Sequence, residues 1–430
     1  MTKPFHACLD RGAGLPVFLG LPVLPVANYR VPMIQYFASM PATVWRMTIA
    51  QGLSMSVMNI NIINTGLAGA VLAPSLWMAT LPLSLQFVCV MLATLPASLL
   101  MARFGRRPVF IIGICIAITA TLIQGLGLIR GDFGLFIGGS ILLGVSHGTA
   151  QFYRYAAADA VPIADKPRAV SFVLLGGLFA ALVGPEIAYR FAGAVPDAPY
   201  TGAFFGAAGV QLFAFFALAG LKIAPPDRTA PAGRPMGAFF RTSSFRLGLV
   251  VAALGYACMS FLMTATPLQI VNVSLLGTEQ NARVIQWHVI AMFAPSFFTG
   301  ALVSRFGVRV MILLGGLLYG LVVVFALAGT SFWHYFIALF LLGLGWNFLF
   351  VTGTTLIARI ARPAERGRVQ GVSDLVIFSF VAVASLSAGI LHSAIGWDGL
   401  VLACLLPVGL ILIMLLATPQ GRLDAEKDPD

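Results

Sequence analysis

His147, Gln151 and Arg154 recur at intervals of four and three within one apolar run, and Tyr155 follows the last of them. Those intervals place the first three on one face of a helix. A run that starts near residue 133 carries His147 ~21 Å along its axis, at 1.5 Å per residue. An imidazole at that depth can hold a proton near neutral pH or hydrogen-bond a solute. Arg154, nearer the end, can instead reach back to water. The stripe equally fits a hydrogen-bonded seam between helices. Gln51, Asn59, Asn61 and Asn64 crowd an earlier run. Amides inside a membrane helix are costly unless partnered. These cannot all share one face, so some bond neighbouring helices, while Asn59 and Asn61 are candidates to line a cavity.

Trp346-Asn347 and Tyr256, the latter with Met259, Ser260 and Met263, fall near the middle of later runs. A tryptophan beside an amide suits stacking plus one directional hydrogen bond to a solute; ordinary packing accounts for them as well. The substrate-binding candidates are therefore Asn59, Asn61, His147, Gln151, Tyr155, Tyr256, Trp346 and Asn347. Gln286-Trp287-His288 opens a run, where tryptophan often anchors at an interface. Glu186, after Gly184-Pro185, is one of the few acids inside the runs, and a carboxyl there is neutral unless paired. It and His147 are the proton-coupling candidates, with a hydrogen-bonded structural acid as the alternative for Glu186. No Walker loop, HExxH or serine-histidine-acid pattern is present, so the chain does not read as an enzyme. The five cysteines form no CxxC or Cys/His cluster, and neither a metal site nor a cofactor is expected.

Such residues need long apolar helices to carry them, and the composition supplies these. Hydrophobic residues make up 59% of the 430 and charged residues only 10%, with a mean hydropathy of +0.94. That excludes an ordinary soluble protein. Apolar runs of the ~20 residues that cross a bilayer follow one another at roughly 44–69, 75–101, 108–128, 133–157, 169–190, 200–221, 247–272, 283–304, 309–329, 334–358, 369–391 and 398–417. Residues 1–43 read as a poorly ordered extension; Pro16, Pro22 and Pro25 argue against a cleaved signal helix.

The net charge of +11 sits in short loops and reads as a topology signal, with no nucleic-acid partner expected. Every second loop is basic: Arg103, Arg106 and Arg107, then Arg154, Lys166 and Arg168, the Pro/Gly-rich linker 222–246, Arg305 with Arg309, and Arg359 to Arg368. The other side holds only Arg130, Arg190 and Arg283. Both termini, including a tail over 418–430, are thus expected in the cytoplasm.

Two loop signatures repeat in register. Ala102-Arg103-Phe104-Gly105-Arg106-Arg107 returns as Ser304-Arg305-Phe306-Gly307-Val308-Arg309, and Asp165-Lys166-Pro167-Arg168 as Glu365-Arg366-Gly367-Arg368. The glycines, 105 and 307, lie 202 positions apart, close to half the chain. An internal repeat at that period divides the chain into six-span halves, 44–221 and 247–417.

Those turns resemble the signature of the major facilitator superfamily of secondary transporters, Gly-x-x-x-Asp-Arg-x-Gly-Arg-Arg. Here Ser98 and Ala102 replace its glycine and aspartate, while Arg103, Gly105, Arg106 and Arg107 match. The second copy keeps Gly300, Arg305, Gly307 and Arg309, with Ser304 at the acidic position. Gly184-Pro185, after Gly176 and Gly177, is similar to the family's glycine-proline pattern, whereas its span-four arginine, near Ser140, is absent. The resemblance covers about residues 44–417. It implies an all-α integral membrane protein with twelve transmembrane helices in two pseudo-symmetric six-helix bundles around a midplane site, alternately open to each side. It also implies a gate at the basic turns, to which Arg154 and Asp374 are added. Asp374, near the start of span eleven, is expected either to pair with Arg103 and Arg106 or to cap its own helix end.

The function that follows is secondary transport of a small organic solute, neutral or weakly polar and aromatic or vitamin-like, with proton coupling as one option. A drug or metabolite efflux antiporter is the alternative, and a non-transporting receptor or assembly partner is the reading from another class. The expected setting is a bacterial-type inner membrane, with lipid and the solute as partners and the protein a monomer.

Overall fold

In the computed structural model the described residues are 40–162, 166–221, 223, 234–362 and 365–419. Most of the expected N-terminal extension, residues 163–165, most of the linker and residues 420–430 of the tail lie outside them.

All the regular structure described is helical. It runs α1 (Ala42–Leu72), a short 3-10 turn (Leu76–Met78), α2 (Leu81–Phe104), α3 (Arg106–Arg130), α4 (Phe133–Ala150), α5 (Tyr153–Asp159), α6 (Lys166–Arg190) and α7 (Thr201–Ala219). There follow α8 (Met236–Arg241), α9 (Ser243–Leu268) with a π-turn (Gln269–Val273), α10 (Thr278–Phe293), α11 (Ser296–Leu327), α12 (Phe332–Arg359), α13 (Arg366–Ala403) and α14 (Leu405–Ala417). Helix is what a bilayer demands, because it satisfies every backbone N–H and C=O within one segment. Ten of these stretches are long and apolar enough to cross a membrane, among the described residues. The expected intervals are helical over most of their length, with breaks inside several of them.

Two of the ten turn back on themselves. Asn347 of α12 bonds Met292 O (2.7 Å) and accepts from Thr299, while Gly345 packs on Tyr319, so α11 passes α12 first in one direction and then in the other. The reversal falls at Gly307, with φ 80° and ψ 164°. Likewise His392 bonds Gln269, Trp397 packs on Tyr335, which also bonds Gln269, and Thr418 O accepts from Arg309 far away. Gly396, at φ 68°, makes that turn. Two expected spans are also broken. Span eight begins at Thr278 and is interrupted at Pro295, whose ring carries no N–H. Span four is interrupted at Gln151-Phe152, between α4 and α5.

The repeated basic turn is the same object twice. Gly105 has φ 85° and ψ 164°, matching Gly307, in a region open to glycine and strained for other residues. After it, Arg107 donates to Ala219 O (2.6 Å), and Arg309 donates to Leu415 O (2.9 Å) and Thr418 O (2.6 Å). Each arginine thus caps the orphan carbonyls that end the last helix of its half. Arg103 and Arg305 lie over the rings of Phe104 and Phe306.

Small residues let the central helices approach. A Cβ on Gly176 would come 2.6 Å from the Gly52 nitrogen, and one on Gly353 2.6 Å from Gly248 O, so α6 meets α1 and α12 meets α9 backbone to backbone. Helix α9 with its π-turn is the most enclosed of the ten, with 83% of its apolar window buried. It packs on α13, α12 and α1.

At the basic end, the last linker residues are pinned. Arg234 makes a forked contact with Glu365 at 2.7 and 2.9 Å, its guanidinium also reaches Ile360 O, and it stacks over Phe239. The Arg234 and Arg362 amides complete the cage around this buried carboxylate. Hydrogen bonds from Arg234 hold Glu365 down at about 2, against the desolvation that would raise it from 4.5. A carboxyl depressed by folding stabilises the folded state above its unfolded value and loses that contribution as pH falls toward the folded one. The thermal midpoint of the detergent-solubilised protein is therefore expected to drop between pH ~4.5 and ~2. Glu365→Gln should start lower at neutral pH and lose less over that window; an identical pH profile would show that the clamp carries no stability.

Candidate functional site

Five aromatic rings from four helices meet at mid-depth. Trp346 and Phe350, one turn apart on α12, stack at 4.8 Å with planes 10° apart. Tyr256 of α9 stands edge-on to both, at 5.3 and 5.5 Å, and meets Phe378 of α13 at 5.8 Å. Phe293 of α10 closes on Trp346 at 5.9 Å. Its ring rests on Gly177 of α6, where any Cβ would collide, so the cluster reaches into the first half of the chain. Trp346 Nε1 is buried with no hydrogen-bond partner among the described residues.

A polar patch faces this cluster from the first half. Gln86 of α2 bonds His147 Nδ1 (3.0 Å) and Met58 of α1 (3.3 Å). Met58 packs in the same apolar group as Phe378 and Tyr256. Gln86 Oε1 is buried and unpartnered among the described residues, and the Ser54 backbone lies within hydrogen-bonding reach of the His147 ring. Unpartnered donors and acceptors in a dry interior are costly, and they are what a polar heterocycle would satisfy.

Toward the basic end, α5 and α13 are joined by charge. Asp374 Oδ2 accepts from Arg154 (3.1 Å) and Tyr155 (3.0 Å), and Arg154 also donates to Tyr155 Oη (2.8 Å). Arg154 keeps 21% of its side chain exposed, whereas Asp374 is buried.

At the opposite end the two halves of the chain close on one another. Ser84 bonds Ser385, which also bonds Thr264, and Leu67, Ala79 and Leu268 share one apolar group. Gly389 lies directly against Thr80. Glu186 bridges Arg283 and Arg190, and Tyr189 bonds Glu279.

Several expectations need correction. Asp374 pairs with Arg154 and Tyr155 rather than with Arg103 or Arg106; Arg106 pairs with Asp159 of its own half. Arg107 and Arg309 cap helix ends, as described above. Asn61 and Asn347 do not face a cavity. Asn61 bonds Gln124 and Thr65, Asn347 bonds Met292, Ser296 and Thr299, and both are fully buried seams between helices. Asn59 bonds Ala180 O of α6. Glu186 is ion-paired at the far end, so its charge is compensated in place. The span-four stripe divides at the break: His147 turns to α2, Arg154 and Tyr155 to α13, and Gln151 stands at the break itself. Gln86, Phe293, Phe350 and Phe378 were not singled out from the sequence. Gln86, an amide within an apolar run, carried the same signal as the asparagines; the phenylalanines carried none.

Long apolar helices with a repeated basic turn define a multi-pass helical membrane protein. The family model described as Major Facilitator Superfamily matches residues 44–285 and 272–429, and the chain belongs to that superfamily. It is 38% identical over 382 residues to the riboflavin transporter RfnT of Brucella anthropi, covering 87% of this chain and 96% of that protein. It is also 31% identical to the uncharacterized MFS-type transporters YdeG, over 73% of this chain and 76% of that one, and YddS, over 64% and 67%, both of Bacillus subtilis.

The Glu186–Arg283 bridge is partly exposed, so it contributes about 1 kcal/mol or less to closure at that end. Glu186→Gln is expected to raise opening by up to roughly fivefold. A cysteine placed at Thr80, in a background without the native cysteines, would report this as faster reaction with a membrane-impermeant thiol reagent. An unchanged rate would show that the bridge is not a latch.

Proposed function

We propose that this protein transports riboflavin or a closely related flavin by alternating access, with the halves 44–221 and 247–417 rocking about the aromatic centre. The observation that carries this reading is the ring cluster around Trp346, with the unpartnered Trp346 Nε1 and Gln86 Oε1 and the imidazole of His147 among its polar groups. A flavin ring system is flat, aromatic and edged with hydrogen-bonding nitrogens and oxygens. It matches a wall of aromatic faces with a few buried polar groups beside it. The 38% identity to a riboflavin transporter along nearly its whole length supports the same substrate class. In this reading the site comprises Tyr256, Trp346, His147 and Gln86, with Phe293, Phe350 and Phe378 as its walls.

Of the two proton-coupling candidates, the proposal keeps His147, an imidazole buried beside Gln86, and sets Glu186, which is held by two arginines, aside as a latch. The same reading has the protein a monomer in a bacterial-type inner membrane with the basic loops and both termini in the cytoplasm; the loop charges support the orientation.

Flavin fluorescence is quenched on stacking against tryptophan, so binding can be read directly on the purified protein. Stacking of a heterocycle on an aromatic ring contributes ~1–3 kcal/mol. Trp346→Leu should accordingly weaken riboflavin binding by roughly ten- to a hundredfold, and Trp346→Phe by much less. Absence of saturable quenching in the unaltered protein would sink the flavin reading.

A further inference from the structure

Beside the aromatic cluster lies a charged group that stacking does not use. On α13, Asp374 stands one helical turn from Phe378, ~6 Å along the axis, and Phe378 touches Tyr256. Tyr256 lies within electrostatic reach of both Asp374 and Arg154. Arg154 Nε has no partner among the described residues, Tyr155 Oη sits between the two charges, and Arg154 retains some exposure. The group therefore offers charged donors, a charged acceptor and a hydroxyl within a few ångströms of one another, with no net charge.

We infer that Arg154, Tyr155 and Asp374 form a polyol subsite that takes the hydroxylated side chain of the substrate while the rings take its tricyclic head. The inference rests on the flavin reading above and adds to it which end of the molecule lies where. A chain of neutral hydroxyls, each donor and acceptor, fits an ion pair that can bond it from both signs. A phosphate does not, because Asp374 already compensates the guanidinium and would repel added negative charge. The spacing agrees: one helical turn separates the ring wall from the carboxylate, the reach of a short carbon chain. Sites built to bond a hydroxyl reject the analogue that lacks it, because their own polar groups are then left unpartnered. The subsite therefore selects flavins that carry the polyol over those that do not. Lying across α5 and α13, it would also tie recognition of the side chain to contact between the two halves.

Riboflavin and lumichrome, which has the ring system without the side chain, separate the two parts in a binding titration on the full-length purified protein. The unaltered protein should bind riboflavin roughly ten- to a hundredfold more tightly than lumichrome, the range expected for one or two charge-assisted hydrogen bonds. Asp374→Asn and Arg154→Gln should bring riboflavin down to the level of lumichrome while lumichrome itself is unchanged, which also reports an intact fold. Tyr155→Phe, which leaves no charge unpaired, should cost riboflavin alone a smaller factor, roughly three- to tenfold. Equal affinity of the unaltered protein for the two ligands overturns the subsite and leaves the flavin reading standing. So does a Tyr155→Phe protein that weakens both ligands equally or neither. If the unaltered protein binds neither ligand, the flavin reading falls and the subsite with it.

Discussion

A bilayer provides no water for a buried polar group, and this constraint sorts the interior of the protein. Most amides that the sequence places inside apolar runs are bonded to a neighbouring helix: Asn59 to Ala180 O, Asn64 to Ala188 O, Asn61 to Gln124, and Asn347 to Met292 O. Each crosses between helices that must stay together, and each ties a pair of spans at one depth. Apolar packing does not choose such a register, because lipid tails are as apolar as leucine. Not every polar group is used up in this way: Trp346 Nε1, Gln86 Oε1 and both side-chain polar atoms of Asn281 are among the buried atoms with no partner among the described residues.

The same constraint shapes the contacts between halves. At the far end they are a serine–threonine relay, tight glycine contacts and an ion-pair network; toward the basic end they are the Arg154–Asp374 pair. The aromatic cluster lies between these two levels. The Glu186–Arg283 bridge is partly exposed and contributes little by itself, whereas the serine–threonine relay is buried.

Duplication is visible in mechanics as well as in sequence. Gly105 and Gly307 share one backbone conformation, and Arg107 and Arg309 perform one task, holding the end of the sixth helix of each half. The centre, by contrast, is unlike in the two halves. The first contributes His147, Gln86 and Met58, the second Trp346, Phe350, Tyr256 and Phe378. The scaffold repeats where geometry is at stake and diverges where chemistry is.

Composition and apolar runs determined by themselves that this is a multi-pass helical membrane protein, because bilayer thickness and the satisfaction of backbone groups leave a chain so apolar little else to be; transport was what the resemblance carried by the doubled basic turn implied. Trp346, Tyr256 and His147 could be singled out too, since a polar or amphipathic ring in the middle of an apolar run is unusual wherever it occurs; that they form a binding site remains a proposal. What only the tertiary structure decided is which polar groups are used up. Asn61 and Asn347 look no different in sequence from a ligand-facing amide, yet their partners come from helices distant along the chain. Phe293, Phe350 and Phe378 are three of thirty-three phenylalanines and carry no mark of their own. Asp374 finds Arg154 rather than Arg106 because helix rotation and depth, not loop proximity, set which charges meet. Periodicity gives the face of one helix; the partner of that face is set by packing among all of them.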